Sequence, residues 1–254
     1  MTITLLQTDI AWAQPGENIR RVTALMDRCA VSHLYVLPEM WATGFATEPE
    51  GIAEDEKSSQ ALAWMRLTAA ERRCALCGSL AVRVADGSYR NRHYFVTPAS
   101  VMFYDKHHLF THGHEDRRYT AGKEAVIVEW QGWRLLLQTC YDLRFPVFSR
   151  YGRAGEYDAI VYVANWPARR QLAWDTLVRA RAIENQCYVV AVNRLGCDPA
   201  CHYAGGSAVI DPVGRTVAHG NSGDEHWLTA DIEIERLNEM RSHFRVLDDR
   251  DTLY

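Results

Sequence analysis

Residues 133–151 read WRLLLQTCYDLRFPVFSRY, an apolar run that ends at Cys140 and passes at once into a segment with helical spacing. Residues 133–139 have the length and composition of a strand covered on both faces, and residues 143–151 form the expected helix. A strand handing over to a helix is the unit from which helix-covered sheets are built, and the same handover recurs on both sides of this stretch. Upstream, residues 2–9 and 33–38 read as strands. Residues 17–30 place Ile19, Val22, Leu25, Met26 and Cys29 at helical spacing after Pro15-Gly16, and residues 58–73 do the same with Leu62, Met65 and Ala69. Downstream, strands at 157–164 and 188–193 flank a helix at 172–185. Short strands at 206–210, 216–218 and 226–231 then precede a helix at 233–241 and an irregular tail from His243 to Tyr254. The middle of the chain is strand-rich, at 74–84, 92–97, 101–105 and 125–130, with turn signals at Asp86-Gly87 and Gln131-Gly132. No linker, repeat or low-complexity segment divides it. A single α/β domain over residues 1–254 is expected, with a mixed sheet or two sheets between helix layers.

The 254 residues carry 28 Lys and Arg against 32 Asp and Glu, and no basic block that would hold a nucleic acid. No uncharged apolar run approaches the roughly 20 residues of a membrane-spanning helix. The start, MTITLLQTDIAWAQ, has no basic region and meets Asp9 early, so a strand and a cytoplasmic location are expected rather than a secretory signal. Seven cysteines cannot all pair within one chain, and in a reducing compartment they would stay thiols. Cys74-x-x-Cys77 and Cys197-x-x-x-Cys201-His202 invite a zinc reading, but residues three apart on a strand point to opposite faces. The run His107, His108, His112, His114 has no helical metal-binding spacing and reads as a loop with one or two site-lining histidines.

Chemistry is expected at three strand ends. Cys140, beside a helix start, would have its thiol pKa lowered by the helix dipole and backbone N–H groups nearby for an oxyanion. Glu39, at the end of HLYVLP, is placed to take the thiol proton. Lys106, at the end of VMFYDK, is placed to neutralise the oxyanion. On the residues alone, a buried inert cysteine and a structural Glu–Lys ion pair account for the same pattern.

LPEMW around Glu39, FYDKHHLF around Lys106 and TCYDLRFP around Cys140, in this order and spacing, resemble the nitrilase superfamily of carbon–nitrogen hydrolases. GHEDRRYTAG, NWPARR and RARAIENQCYVVAVNR extend the likeness over essentially the whole chain. The resemblance implies a four-layer αββα sandwich, a Glu39–Lys106–Cys140 triad, and a second glutamate, Glu115, beside it. NWPARR and AIENQ look most like the omega-amidase branch, which removes ammonia from small dicarboxylic monoamides such as 2-oxoglutaramate and 2-oxosuccinamate. The branch implies a Cys140 thioester, an oxyanion held by Lys106 and the Tyr141 backbone N–H, and no cofactor or metal.

The far carboxylate of such a substrate calls for a guanidinium, for which Arg144, Arg169 and Arg170 are candidates. Phe45, Tyr119, Trp41 and Trp166 are candidate pocket walls, though core packing explains each equally well. An amidase for N-carbamoyl amines, N-carbamoyl amino acids or deaminated glutathione remains the alternative, and a silent binding module on the same fold a more distant one. Resemblance also implies a homodimer or higher homo-oligomer packed through the segments after Cys140 and after residues 157–164. Phe145, Val147, Phe148, Leu172, Trp174 and Leu177 offer apolar surface for it, and the tail from His243 is expected along a neighbouring surface.

Overall fold

The computed structural model describes residues 1–220 and 226–251. The first half of the chain runs β1 (Thr2–Gln7), α1 (Pro15–Met26), β2 (Leu34–Val36), β3 (Glu54–Asp55), α2 (Gln60–Arg72), β4 (Ala75–Arg83), β5 (Tyr89–Val96) and β6 (Val101–Asp105). The second half runs β7 (Val126–Trp130), β8 (Trp133–Thr139), α3 (Pro146–Ser149), β9 (Ala159–Ala164), α4 (Gln171–Glu184), β10 (Tyr188–Asn193), β11 (Leu195–Cys197), β12 (His202–Ala204), β13 (Ala208–Ile210), β14 (Thr216–His219), β15 (His226–Asp231) and α5 (Ile234–His243). Local chemistry sets several boundaries. Pro15 opens α1 where its missing N–H costs nothing. The Ser59 hydroxyl caps α2 by accepting the Leu62 N–H at 3.0 Å, and Arg73 ends it in the left-handed region. Gln131 and Gly132, both at positive φ, make the two-residue turn between β7 and β8.

The strands form two mixed sheets. One has the order β15-β1-β2-β4-β5-β6 with β3 beside β4, and the other β14-β13-β10-β9-β8-β7. In each, a parallel centre (β1, β2, β4 and β8, β9, β10) is flanked by antiparallel strands. The sheets face each other across a core that includes Leu5, Val36, Phe95, Leu135, Val161 and Val190. Alternate residues of the first sheet pack outward against α1 and α2, through Val22, Leu62 and Met65. Those of the second pack outward against α4, through Trp174, Val178 and Ala182. The layers are therefore α, β, β, α, and the central strands are covered on both faces, which is why they read as continuous apolar runs.

The expected helix at 143–151 is not there. The chain leaves β8 through a 3₁₀ turn, Cys140–Arg144, and then makes only the four-residue α3. Pro146 is the cause: it cannot donate into a continuing helix, and it forces Phe145 out of the helical region, to φ −116° and ψ 85°. The strand expected at 33–38 shrinks to β2 because Pro38 and the left-handed Met40 turn the chain aside. The β11–β12 hairpin and β3 carried no readable alternation. Cys74 packs on the outer side of the first sheet and Cys77 between the sheets, the opposite-face arrangement that the strand spacing requires. After α5, Leu247 packs against the outer core of the second sheet and Arg250 lies over the Tyr151 ring. Residues 252–254 of the expected tail lie outside the described residues. Among the described residues, no helix is long and apolar enough to cross a membrane.

Candidate active site

The ends of both sheets meet at one place. Glu39 follows β2 and Lys106 follows β6 in the first sheet, while Cys140 follows β8 and Asn165 follows β9 in the second. Side chains beyond the carboxyl ends of neighbouring parallel strands converge on a shared crevice, the usual ligand position in open α/β sheets. Glu115 arrives from the loop after Lys106, through a left-handed His114.

The structure brings the four expected residues together. Lys106 Nζ donates to Glu39 Oε1 at 2.8 Å and to Glu115 Oε2 at 2.9 Å, with all three side chains fully buried. Asn91, on β5, ties the two carboxylates together: its Nδ2 donates to Glu39 Oε1 at 2.8 Å and to Glu115 Oε1 at 2.9 Å. Backbone donors complete the set, from Asn165 N–H to Glu39 Oε2 at 2.9 Å and from Phe110 N–H to Glu115 Oε2 at 2.7 Å. Unpaired charges could not be buried this way; these are paired and hydrogen-bonded at nearly every lone pair.

Electrostatics follow from this geometry. Burial alone would pull Lys106 down, yet Glu115 and Glu39 hold its ammonium above its ordinary pKa. Burial, with Glu39 adding to it against Lys106, raises Glu115. The Cys140 thiol is pushed well above its ordinary value by desolvation and then by the negative charge of Glu39 beside it. The expected lowering by a helix dipole does not occur, because the turn after Cys140 is one short 3₁₀ segment and desolvation outweighs it. Cys140 thus rests as a thiol beside the Glu39 carboxylate, and a thiol in that state would need proton transfer before it could act as a nucleophile.

Cys140 itself sits at φ +44°, a strained position for a side-chain-bearing residue, at a sharp strand-to-turn corner. Asp142 secures that corner. Its Oδ2 accepts Thr139 N–H at 2.9 Å and the Tyr104 hydroxyl at 2.7 Å, and its Oδ1 accepts His108 N–H at 2.9 Å and the His108 ring Nδ1 at 2.8 Å. The residues after Lys106 and before Cys140 are therefore fastened to one buried carboxylate.

A cavity of about 570 Å³ opens over Cys140. Of the expected residues, Phe45, Tyr141, Arg144, Trp166, Arg169 and Arg170 line it. Tyr119 lies one layer back: its hydroxyl donates to the Ala46 carbonyl and its ring packs beside Phe45 and Met40. Trp41 is buried against Trp64. Of the histidines only His112 lines the cavity; His107 hydrogen-bonds the Gly122 carbonyl and His108 goes to Asp142. Arg144 lies over the Trp166 ring at 4.8 Å and Arg170 over Phe110 at 5.1 Å, and among the described residues neither forms an ion pair, whereas Arg169 is exposed. Asn91, Asn165, Asp142 and the β11–β12 wall around Tyr203 were not singled out from sequence. A buried polar residue on a strand carries no local sign of which neighbour it will serve.

A family model described as carbon-nitrogen hydrolase matches residues 2–242. The chain is 41% identical to omega-amidase YafV of Escherichia coli (strain K12), over 99% of this chain and 97% of that protein. It is 34% identical to 2-oxoglutaramate amidase of Bacillus subtilis (strain 168), over 100% and 99%. The crystal structure of XC1258 from Xanthomonas campestris, described as a CN-hydrolase superfamily protein with an arsenic adduct in the active site, matches with a TM-score of 0.94 at 41% identity, covering 100% of this chain and 98% of that one. Sequence, fold and the converging strand ends agree: the chain belongs to the carbon-nitrogen hydrolase family.

Proposed function

We propose that the protein is an omega-amidase that releases ammonia from the distal amide of small dicarboxylic monoamides, 2-oxoglutaramate being the model substrate, through a Cys140 thioester. The observation that carries this reading is the convergence of the Cys140 thiol with Glu39, Lys106 and Glu115 under a cavity whose wall holds Arg144 and Arg170, two guanidiniums that form no ion pair among the described residues. Likeness to the Escherichia coli and Bacillus subtilis amidases supports the substrate class.

Glu39 takes the thiol proton as Cys140 Sγ attacks the amide carbon. The oxyanion that forms is met by Lys106, whose ammonium has three N–H groups and spends two on carboxylates. The second donor is the Tyr141 N–H, one of those that a helix start leaves without an internal partner. Glu39 then protonates the departing nitrogen, ammonia leaves, and a thioester remains. Water, deprotonated by Glu39, attacks the thioester carbon; the carboxylate is released and the thiol regains its proton. Glu115 keeps Lys106 and Asn91 aimed at the reaction centre. The substrate's far carboxylate pairs with Arg144, Arg170 or both, in charge-assisted contacts.

The test is ammonia release from 2-oxoglutaramate, with glutamine, an aliphatic nitrile and an N-carbamoyl amine in parallel, repeated with Cys140→Ala. Turnover of the keto acid amide above the others, lost in the variant, is expected. Turnover of the N-carbamoyl amine instead would move the substrate and keep the nucleophile; no turnover of any amide and no acyl adduct on Cys140 would refute the reading.

A further inference from the structure

We propose that the side-chain oxygen of Asn165 accepts an N–H of the scissile amide and follows that nitrogen as it departs as ammonia; this rests on the amidase reading above. Asn165 directly follows β9, is 4% exposed and lines the cavity beside Cys140. Its backbone N–H serves Glu39 Oε2 and faces the Cys140 sulfur. Its Nδ2 donates to the Glu39 backbone carbonyl at 2.8 Å. A carbonyl only accepts, so that contact fixes which end of the side-chain amide is nitrogen. Oδ1 is then left buried with no hydrogen-bond partner among the described residues.

Orphaned buried acceptors are rare and each asks for an explanation. Here a partner can arrive with the substrate, since a primary amide brings two N–H donors to the atom that leaves. The nearby carboxylates are already engaged: Glu39 Oε1 by Lys106 and Asn91, Glu39 Oε2 by Asn165 N–H, Glu115 Oε1 by Asn91, and Glu115 Oε2 by Lys106 and Phe110. Asn91 Oδ1 is also without a partner among the described residues, but Asn91 does not line the cavity. When the tetrahedral adduct collapses, the C–N bond breaks, the nitrogen keeps the electron pair and takes the proton held by Glu39, and ammonia leaves. Oδ1 gives and takes no proton. It accepts a hydrogen bond that strengthens as positive charge grows on the nitrogen, so it favours the transition state over bound substrate.

An ester of the same acid has no N–H to offer, which separates this role from a structural one. The experiment measures kcat/KM for the amide and for the corresponding methyl ester in the wild type, Asn165→Ala, Asn165→Ser and Asn165→Asp. The Ser variant puts a small polar hydroxyl on Cβ, short of the Oδ1 position, and serves if the Ala variant does not fold. Loss of Oδ1 in the Ala and Ser variants is expected to lower the amide-to-ester ratio about tenfold or more. The Asp variant, which retains an oxygen at that place, should stay within about threefold of the wild-type ratio. An equal fall for both substrates in the Ala and Ser variants overturns the inference and leaves Asn165 acting only through Glu39. Wild-type enzyme that turns over the ester and no amide overturns the amidase reading itself, and with it this role.

Discussion

Replacing Asp142 by Asn swaps one carboxylate oxygen for an amide NH₂, and the four donors around it make the cost calculable. Two donors meet each oxygen: Thr139 N–H and Tyr104 hydroxyl at Oδ2, His108 N–H and His108 Nδ1 at Oδ1. The tyrosine hydroxyl can rotate to accept, and the histidine can change tautomer to do the same. A backbone N–H can do neither. Whichever way the new amide turns, one backbone N–H, of Thr139 or of His108, faces an NH₂ group in a buried site. An unsatisfied buried donor costs about 1–3 kcal/mol, and loss of the charge places Asp142→Asn near the upper end. The orphaned group lies next to Cys140 or two residues from Lys106, so the thiol is expected to move relative to the ammonium. A displacement approaching 1 Å costs about 10²-fold in rate. Urea denaturation and kcat/KM on the amide measure both effects. A stability within about 0.5 kcal/mol of wild type, with kcat/KM unchanged, would refute the assignment of Asp142 as the fastening between the two loops.

Three other perturbations address separate parts of the molecule. Arg144→Met should raise KM for the dicarboxylic monoamide about tenfold or more, with kcat less affected and an uncharged amide such as butyramide unchanged; equal loss on both amides would mean that Arg144 does not meet the carboxylate. Burial lowers the His93 pKa to about 3, and its usual value is about 6.5. Between those values the unfolded chain holds a proton that the folded chain lacks, so stability falls as pH drops through this window, by up to about 1.4 kcal/mol per unit. His93→Gln should therefore lose about 2 kcal/mol less than wild type between pH 7 and pH 5 in denaturant titrations; parallel losses would show that His93 is not held neutral. A Cβ on Gly122 would stand 2.1 Å from the Asp105 carbonyl oxygen, next to Lys106. Gly122→Ala should lower stability by about 1–3 kcal/mol and reduce kcat, and a wild-type denaturation midpoint would contradict it.

The parts of this fold that were legible in the sequence are those where one principle acts alone. The runs of β8, β9 and β10 are covered on both faces, and continuous apolar sequence has few other meanings at that length. The segment after Cys140 failed because periodicity and Pro146 conflict there; the periodic residues Phe145 and Phe148 are used for packing against His108 and His107 rather than for a helix face. The charged members of the site were visible because a Glu or Lys at the end of an apolar strand has to be compensated. The neutral members were not, since Asn91 and Asn165 acquire their meaning only from the carboxylates they meet, Asn91 with both Glu39 and Glu115, Asn165 with Glu39. The arginines show the same limit, as the three candidates, Arg144, Arg169 and Arg170, were equivalent until Arg144 and Arg170 were placed over aromatic rings on the cavity wall.

The way the charges are balanced explains why those neutral residues are needed. Two buried carboxylates share one ammonium, and burial holds the Cys140 thiol beside them in its uncharged form, so the ammonium cannot neutralise both acids. The remaining stabilisation comes from neutral donors whose number and direction the fold sets: the Asn91 amide and the backbone N–H groups of Asn165 and Phe110. These come from a strand of the first sheet, the end of a strand of the second, and the loop between them. The cluster is therefore complete only when the two sheets are packed face to face. A chain with the same charged residues and a loosened core between the sheets would keep Glu39 and Lys106 on one sheet but lose the Asn165 donor and the register of Cys140, so the geometry of the cluster rests on the packing of residues such as Val161 and Val36 between the sheets.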